Sequence, residues 1–297
     1  MVSCSLCFKP AAFLSPHYCK DHFFLYIEEK VKFAIKRFHL IGENERIAVA
    51  VSGGKDSQTV LSILHTLYGN RVCAIAIDEG IPGYRDNTLE DLEKFCRPLN
   101  IPYHIYSFQE AFGKPLERFL EQGASACRSC GVLRRHLLNT HAAGFDKLAT
   151  GHNLDDECQS IVMNFLKSNL LLLAKLGPVS GITERAGFTP RIKPLYLCTE
   201  KEIAAYAFLQ GFPVRFRECP HASDSFRSLV RDLLNNIEHA NPGTKRAVAE
   251  HFLALLPRLH DTYSGNSVLR SCTRCGSPAV NGICQACKTV VLFSDAD

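Results

Sequence analysis

The chain has 297 residues, 34 Lys+Arg against 30 Asp+Glu, and a formal charge of +4 with histidines neutral. A hydrophobic content of 46% and a charged content of 22% exclude a disordered chain, and the length suits about two domains. No uncharged apolar run reaches the roughly 18 residues of a membrane span, and Met1–Cys7 lacks the blocks of a signal peptide, so a cytoplasmic protein without a membrane partner is expected. The unusual count is 14 cysteines beside no tryptophan. They are too unevenly spread for a disulfide scaffold, which makes metal binding the better reading.

In chain order, Cys4-x2-Cys7-x11-Cys19-x2-His22 comes first, a set of four soft ligands spaced for a tetrahedral zinc ion, with His17 as the competing fourth ligand. Phe23–Leu40 reads as a helix with Val31, Ala34, Ile35 and Phe38 on one face. Arg46–Val51 is a buried strand ending in Ser52-Gly53-Gly54, followed by a helix over Lys55–Tyr68. Val72–Asp78 is a strand, Thr88–Leu99 a helix and Pro102–Tyr106 a strand. A helix after Gly113 precedes Cys127-x2-Cys130, and Gly131–Ala143 is helical and basic. Lys147–Thr150 is the fourth strand, running into Gly151-His152-Asn153, and Leu154–Ala174 is a long helix. Helices over Thr199–Leu209, Asp224–His239 and Thr244–Leu256 lead to Cys272-x2-Cys275-x8-Cys284-x2-Cys287, a second zinc knuckle with Gly276 and Gly282 in its turns. Both zinc ions are structural in this reading, because four protein ligands leave no open position.

Alternating strands and helices imply a doubly wound α/β fold with a parallel sheet. The expected layout is an N-terminal zinc finger (1–24), a catalytic domain (25–210), a helical segment facing the substrate (211–267) and a C-terminal zinc finger (268–297).

Ser52-Gly53-Gly54-Lys55-Asp56-Ser57 lies between a strand and a helix, where backbone N–H groups and the helix dipole bind phosphate. The glycines admit close approach, Ser52 and Ser57 offer hydroxyls, and Lys55 offers a cation. Asp56 is suited to hold Mg²⁺. The Walker pattern is absent, since Val49 stands where its first glycine would fall. Gly151–Glu157 follows the fourth strand on the edge where such folds place ligands. Asp156 is its first candidate as a catalytic or Mg²⁺-binding carboxylate and Asp155 the second; both could instead be charges favoured by a helix N-terminus. His152 is as readily a core histidine as a site residue.

The hexapeptide resembles the PP-loop of the N-type ATP pyrophosphatases, and the chain is similar over nearly its whole length to the cytosolic tRNA 2-thiouridine synthetase family (TtuA/NcsA/CTU type). The likeness is carried by both knuckles, the phosphate loop, Asp78–Asp86, Cys127–Arg135, Ala149–Glu157 and Arg217–Pro220. Asp78–Ile81, Gly83–Asp86 and Cys130–Arg135 look more like the wobble-uridine branch than the T-loop branch. The resemblance implies ATP as cosubstrate, split to AMP and pyrophosphate, with Ile77, Gly151 and Asp156 joining the loop residues in binding it. It also implies tRNA as substrate and sulfide or a sulfur-carrier protein as sulfur donor, with a homodimer or a heteromer possible.

Read without it, Cys127 and Cys130 could be a redox dithiol, half a zinc site or an exposed turn, and Cys219 stands alone. The resemblance implies that Cys127, Cys130 and Cys219 hold a 4Fe–4S cluster with one iron left open for a sulfur donor. The competing reading is cluster-free, with a persulfide on Cys130 or Cys219. Cys73, Cys96, Cys158 and Cys198 lie on apolar patterns and read as core thiols. Arg134 falls where some relatives carry a lysine, and an arginine is a poor proton shuttle. Basic residues that could meet tRNA are Lys30, Lys32, Lys36 and Arg37; Arg134, Arg135 and His136; Arg215 and Arg217; Arg227 and Arg231; and Arg270 and Arg274. Solvated helix faces are the plainer explanation for half of them.

Overall fold

In the computed structural model, residues 2–180, 188–215, 219–221, 226–263 and 270–293 are described. A hairpin of β1 (Phe13–Leu14) and β2 (His17–Tyr18) leads into α1 (Lys20–Arg37). The alternating half contains β3 (Ile47–Ala50), α2 (Lys55–Tyr68), β4 (Val72–Asp78), α3 (Arg85–Cys96) and β5 (Tyr103–Ser107). Next come α4 (Phe108–Phe112), α5 (Leu116–Glu121), α6 (Ala126–His141), β6 (Lys147–Thr150), α7 (Leu154–Leu166) and α8 (Leu170–Leu173). The chain closes with β7 (Val179–Ser180), β8 (Arg191–Ile192), α9 (Glu200–Gln210), α10 (Phe226–Ala240), α11 (Thr244–Tyr263), β9 (Arg270–Ser271), β10 (Pro278–Ala279) and α12 (Gln285–Leu292).

The main sheet has the order β5-β4-β3-β6-β8-β7, parallel except for the antiparallel edge strand β7. The chain runs outward from β3 to β5 on one side and resumes at β6 on the other, so a topological switch point lies between β3 and β6. Strand alternation builds two cores. Ile47, Val49, Val72, Ala74 and Ala76 pack with α1, α2 and α9, whereas Ala48, Ile75, Ile77 and Leu148 pack with α5 and α6. The knuckles dock on opposite faces: Phe13 stacks on Phe23 at 4.3 Å in the first core, while Cys272, Ala279, Cys284 and Ala286 belong to the second.

Four local expectations are corrected. The helix expected over Leu154–Ala174 breaks after Leu166, because Ser168 turns to φ +52° and Asn169 caps α8 through Leu172 N–H; α8 then buries Leu173 against Phe252 and Leu256. Cys127 and Cys130 lie inside α6, which begins five residues before the expected Gly131. Helix α11 passes through Pro257 to Tyr263, with Leu256 and Leu259 packed beside α8. The sheet is mixed rather than wholly parallel, since β7 and β8 have two residues each and too little pattern to be read.

Candidate active site

The loop after β3 closes on itself before α2 begins at Lys55. Ser57 Oγ donates to Gly54 O at 2.9 Å and accepts from Ser52 N–H at 3.2 Å. Gly53 has φ +84°, and a Cβ there would sit 2.3 Å from Thr88 O. From the other side of the switch point, Gly151 presses on the same loop; a Cβ on it would meet Ser57 N at 2.8 Å and Asp56 C at 2.9 Å. Lys55 Nζ lies 2.9 Å from Asp56 Oδ2 and 3.1 Å from Glu200 Oε1. Burial works against its charge, but these carboxylates outweigh it and hold the ammonium protonated.

Helix α7 gives its three acidic residues three different tasks. Asp155 is buried, accepts the backbone N–H of Glu200 at 2.8 Å and pairs with buried Lys245. Glu157 is buried and pairs with Lys193 at 2.5 Å. Asp156 alone faces the loop. It closes a capping box with Asn153, whose Nδ2 also donates to Asp56 Oδ1 at 3.0 Å. Desolvation, with Asp56 and Glu200 nearby, pushes the Asp156 carboxyl up to about 6, with the Asn153 N–H and Arg227 acting against the rise. Arg227, on α10, reaches to 3.8 Å from Asp156 Oδ1. His152 keeps an accessible ring edge but is surrounded by protein, with its Nδ1 2.9 Å from Thr150 Oγ1. Desolvation and the cations Lys193, Arg227, Arg191 and Arg134 lower it to about 4, so it is neutral at physiological pH. Ile77 is buried and packs in the second core.

The central cysteines lie beside this cleft. Cys130 is buried, Cys127 is exposed with its Sγ 3.6 Å from His221 O, and Cys219 is half-buried. Burial raises the Cys130 thiol, Arg134 opposes that rise, and Glu79 and Cys219 add to it. Unlike the terminal sets, these three sulfurs are not drawn within 4.8 Å of one another. An all-thiol donor set of three members on two separate segments has the chemistry of iron–sulfur ligation.

A chain of contacts joins these cysteines to the phosphate loop. Arg134 Nη2 donates to Cys130 Sγ at 3.4 Å, and its Nε lies 3.4 Å from Glu79 Oε1. The other Glu79 oxygen is 3.0 Å from Arg85 Nε, an ion pair by distance although that N–H points off the hydrogen-bond line. Arg85 Nη1 donates to Ser52 O at 2.5 Å and to Thr88 Oγ1 at 3.0 Å. Glu79, Arg85, Asn153 and Glu200 were not singled out as site residues from sequence. Glu79 and Arg85 sit in the Asp78–Asp86 stretch already recognised, so a charged pair directly after a buried strand was the available signal. Nothing local marks Glu200.

A family model for the PP-loop domain matches residues 27–237. The tRNA 2-thiolation protein NcsA of Haloferax volcanii is 34% identical, covering 94% of each chain. The tRNA-5-methyluridine(54) 2-sulfurtransferase of Pyrococcus horikoshii is 35% identical over 97% of this chain and 93% of its own. Among solved structures, U34-tRNA thiolase NcsA from Methanococcus maripaludis with its 4Fe–4S cluster superposes with a TM-score of 0.82 at 31% identity, covering 97% of this chain and 95% of that one. The chain belongs to the PP-loop family of tRNA 2-thiolation proteins.

In this family member the terminal sets each gather four ligand atoms within 4.8 Å, Cys4, Cys7, Cys19 and His22 in one and Cys272, Cys275, Cys284 and Cys287 in the other. His22, not His17, completes the first, its Nδ1 3.3 Å from Cys4 Sγ; His17 lies on β2. The Cys284 N–H aimed at Cys272 Sγ helps hold that thiol down, at about 6. Four such donors in a space this small fit one zinc ion. Burial pushes Cys96, Cys158 and Cys198 up to about 12, as inert core thiols. Several proposed tRNA contacts are already engaged: Lys30 with Glu202, Arg37 with Glu250, and Arg215 with Glu90, Asp91 and Asn87. Arg217 lies outside the described residues.

Proposed function

We propose that this protein is an ATP-dependent tRNA-uridine 2-sulfurtransferase of the cytoplasm. The reading rests on the convergence at one sheet edge of the phosphate loop, the Asp56–Asp156 pair and Cys127, Cys130 and Cys219. Oxide is a very poor leaving group, so the C2 oxygen of the uridine is adenylated first and leaves with AMP when sulfur attacks C2. Ser52, Gly53, Gly54 and Ser57 cradle the phosphates, Lys55 neutralises them, and backbone at Ile77 and Gly151 borders the nucleotide. Asp56 and Asp156 would hold Mg²⁺, which offsets charge on the phosphates. Cys127, Cys130 and Cys219 would hold a 4Fe–4S cluster, whose unligated iron offers a place for sulfide from the medium or from a carrier protein. Cys130 and Cys219 lie closest to the reacting centre in this reading, and residues 211–267 face the tRNA. The terminal sets hold two structural zinc ions.

The wobble uridine is the proposed target, supported by the U34 thiolase structure and by the Asp78–Asp86 and Cys130–Arg135 sequences. Mass spectrometry of tRNA after turnover reads the modified position directly. The test of the whole reading is ATP turnover with tRNA, in which AMP and pyrophosphate are expected; ADP alone would overturn it. Anaerobic metal quantitation on the parent and Cys219→Ala tests the ligand set, with iron lost from the variant and about two zinc ions retained. Activity with no iron in the parent would favour the persulfide reading instead.

A further inference from the structure

A cavity of about 280 Å³ lies between α6, β8 and the C-terminal knuckle. Its walls carry two arginines, Arg135 and Arg191, with His136, Gln285, Phe188 and Pro278 around them, and among the described residues no acidic side chain lines it. Arg191 Nη2 donates to the backbone carbonyl of Arg135 at 3.2 Å, which holds its guanidinium against α6. Among the described residues, neither arginine has a carboxylate partner, unlike Arg37, Arg85 and Arg215. Desolvation lowers both guanidinium pKa values, and cationic neighbours lower them further: Arg134 acts on Arg135, and Arg135 on Arg191. Two cations held together without an anion are a cost to the free protein that a bound anion removes.

We propose that this cavity binds a phosphodiester of the tRNA backbone, with Arg135 and Arg191 as the paired donors and Phe188 and Pro278 as apolar walls for the adjoining nucleoside. The proposal rests on the tRNA reading above and adds a location to it. Arg134 points at Cys130, and Arg135 follows it about 100° around the same helix. With Arg134 turned to the cysteines, the Arg135–Arg191 pair is free to hold the phosphate of a nucleotide neighbouring the reacting uridine. Guanidinium forks suit this task, since each offers two parallel donors to phosphate oxygens.

The test is anisotropy with an unmodified tRNA transcript, on the full-length protein, from about 50 to 200 mM salt. The double variant Arg135→Gln/Arg191→Gln should bind on the order of tenfold more weakly. Its log–log salt slope should flatten by about 0.7–0.9, the value for one phosphate contact. ATP affinity, which depends on a different face, should stay at the parent value and also reports that the variant is folded. Arg135→Lys/Arg191→Lys keeps both charges and carries the test if the glutamine pair does not fold; its slope should match the parent while its affinity falls short. Parent-like affinity and slope in the folded glutamine variant would overturn the pocket alone. Failure of the parent to bind tRNA would overturn the functional reading, and the pocket with it.

Discussion

Glu79→Gln tests whether the contact chain between the phosphate loop and Cys130 is a working part of the fold. Glu79 and Arg85 are 4% and 3% exposed, so the substitution leaves a buried guanidinium without its counter-ion. Breaking one side of a buried pair costs about 3–5 kcal/mol. The misaligned Arg85 Nε–H argues for the lower end, about 3 kcal/mol. For a chain of this size that is a fall in melting temperature on the order of 6–12 °C. Arg85 also fixes Ser52 O, so ATP affinity should drop with stability. Arg134→Gln is the control: its side chain is 43% exposed, and Glu79 keeps Arg85, so the melting temperature should move by about 2 °C or less. Differential scanning fluorimetry and isothermal titration with ATP read both quantities. Equal melting temperatures for Glu79→Gln and the parent would refute the account of Glu79 as the shared anchor.

Gly151→Ala should cost about 1–3 kcal/mol by overpacking and weaken ATP binding, because the new methyl would press on the Asp56–Ser57 backbone; calorimetry checks both. Asp155→Asn should destabilise by about 3 kcal/mol, since it strands buried Lys245, whereas Asp156→Asn should abolish ATP turnover and stabilise the ligand-free protein. The sign follows from linkage: the folded Asp156 pKa, about 6, lies above the ordinary aspartate value of 3.8, so the parent loses stability relative to Asp156→Asn as pH rises between those values, and the gap is constant above. Urea midpoints from pH 3.5 to 7.5 test it. Cys275→Ser, at an exposed member of the C-terminal set, should lower bound zinc from about two ions per chain to about one by elemental analysis.

The parts legible from sequence were those with local rules behind them. Lys55–Tyr68, Val72–Asp78 and Lys147–Thr150 have the bounds that their apolar patterns indicate. The knuckle ligands follow from spacing alone, apart from the choice of His22 over His17, which depends on where the hairpin places each ring. The break at Ser168 was hidden because the apolar run Leu170–Leu173 continues the helical pattern, and only its burial against α11 explains the turn. The ion pairs of Arg37 with Glu250 and Lys55 with Glu200 join residues far apart in sequence. No window-based pattern contains them, so Arg37 looked like open surface and Lys55 like a cation with phosphate as its only partner.

Two helices show why the motif residues were easier to find than their tasks. Along α7 each residue advances about 100°, so of Asp155, Asp156 and Glu157 only one can face the phosphate loop. The outer two turn into the protein, where Lys245 and Lys193 neutralise them, and those two locks fix the rotation of the helix that aims Asp156. Along α6 the same phase sets Arg135 about 100° away from Arg134, which reaches Cys130, while Leu133 and Leu137 face the core. Asp156, held only by its capping box and by Arg227 at 3.8 Å, faces Asp56, and two arginines without a carboxylate face the cavity. On these two helices the tightly paired, buried carboxylates are the structural ones, while the weakly paired Asp156 and the carboxylate-free Arg135 face the cleft and the cavity, a distinction that the motif alone cannot make.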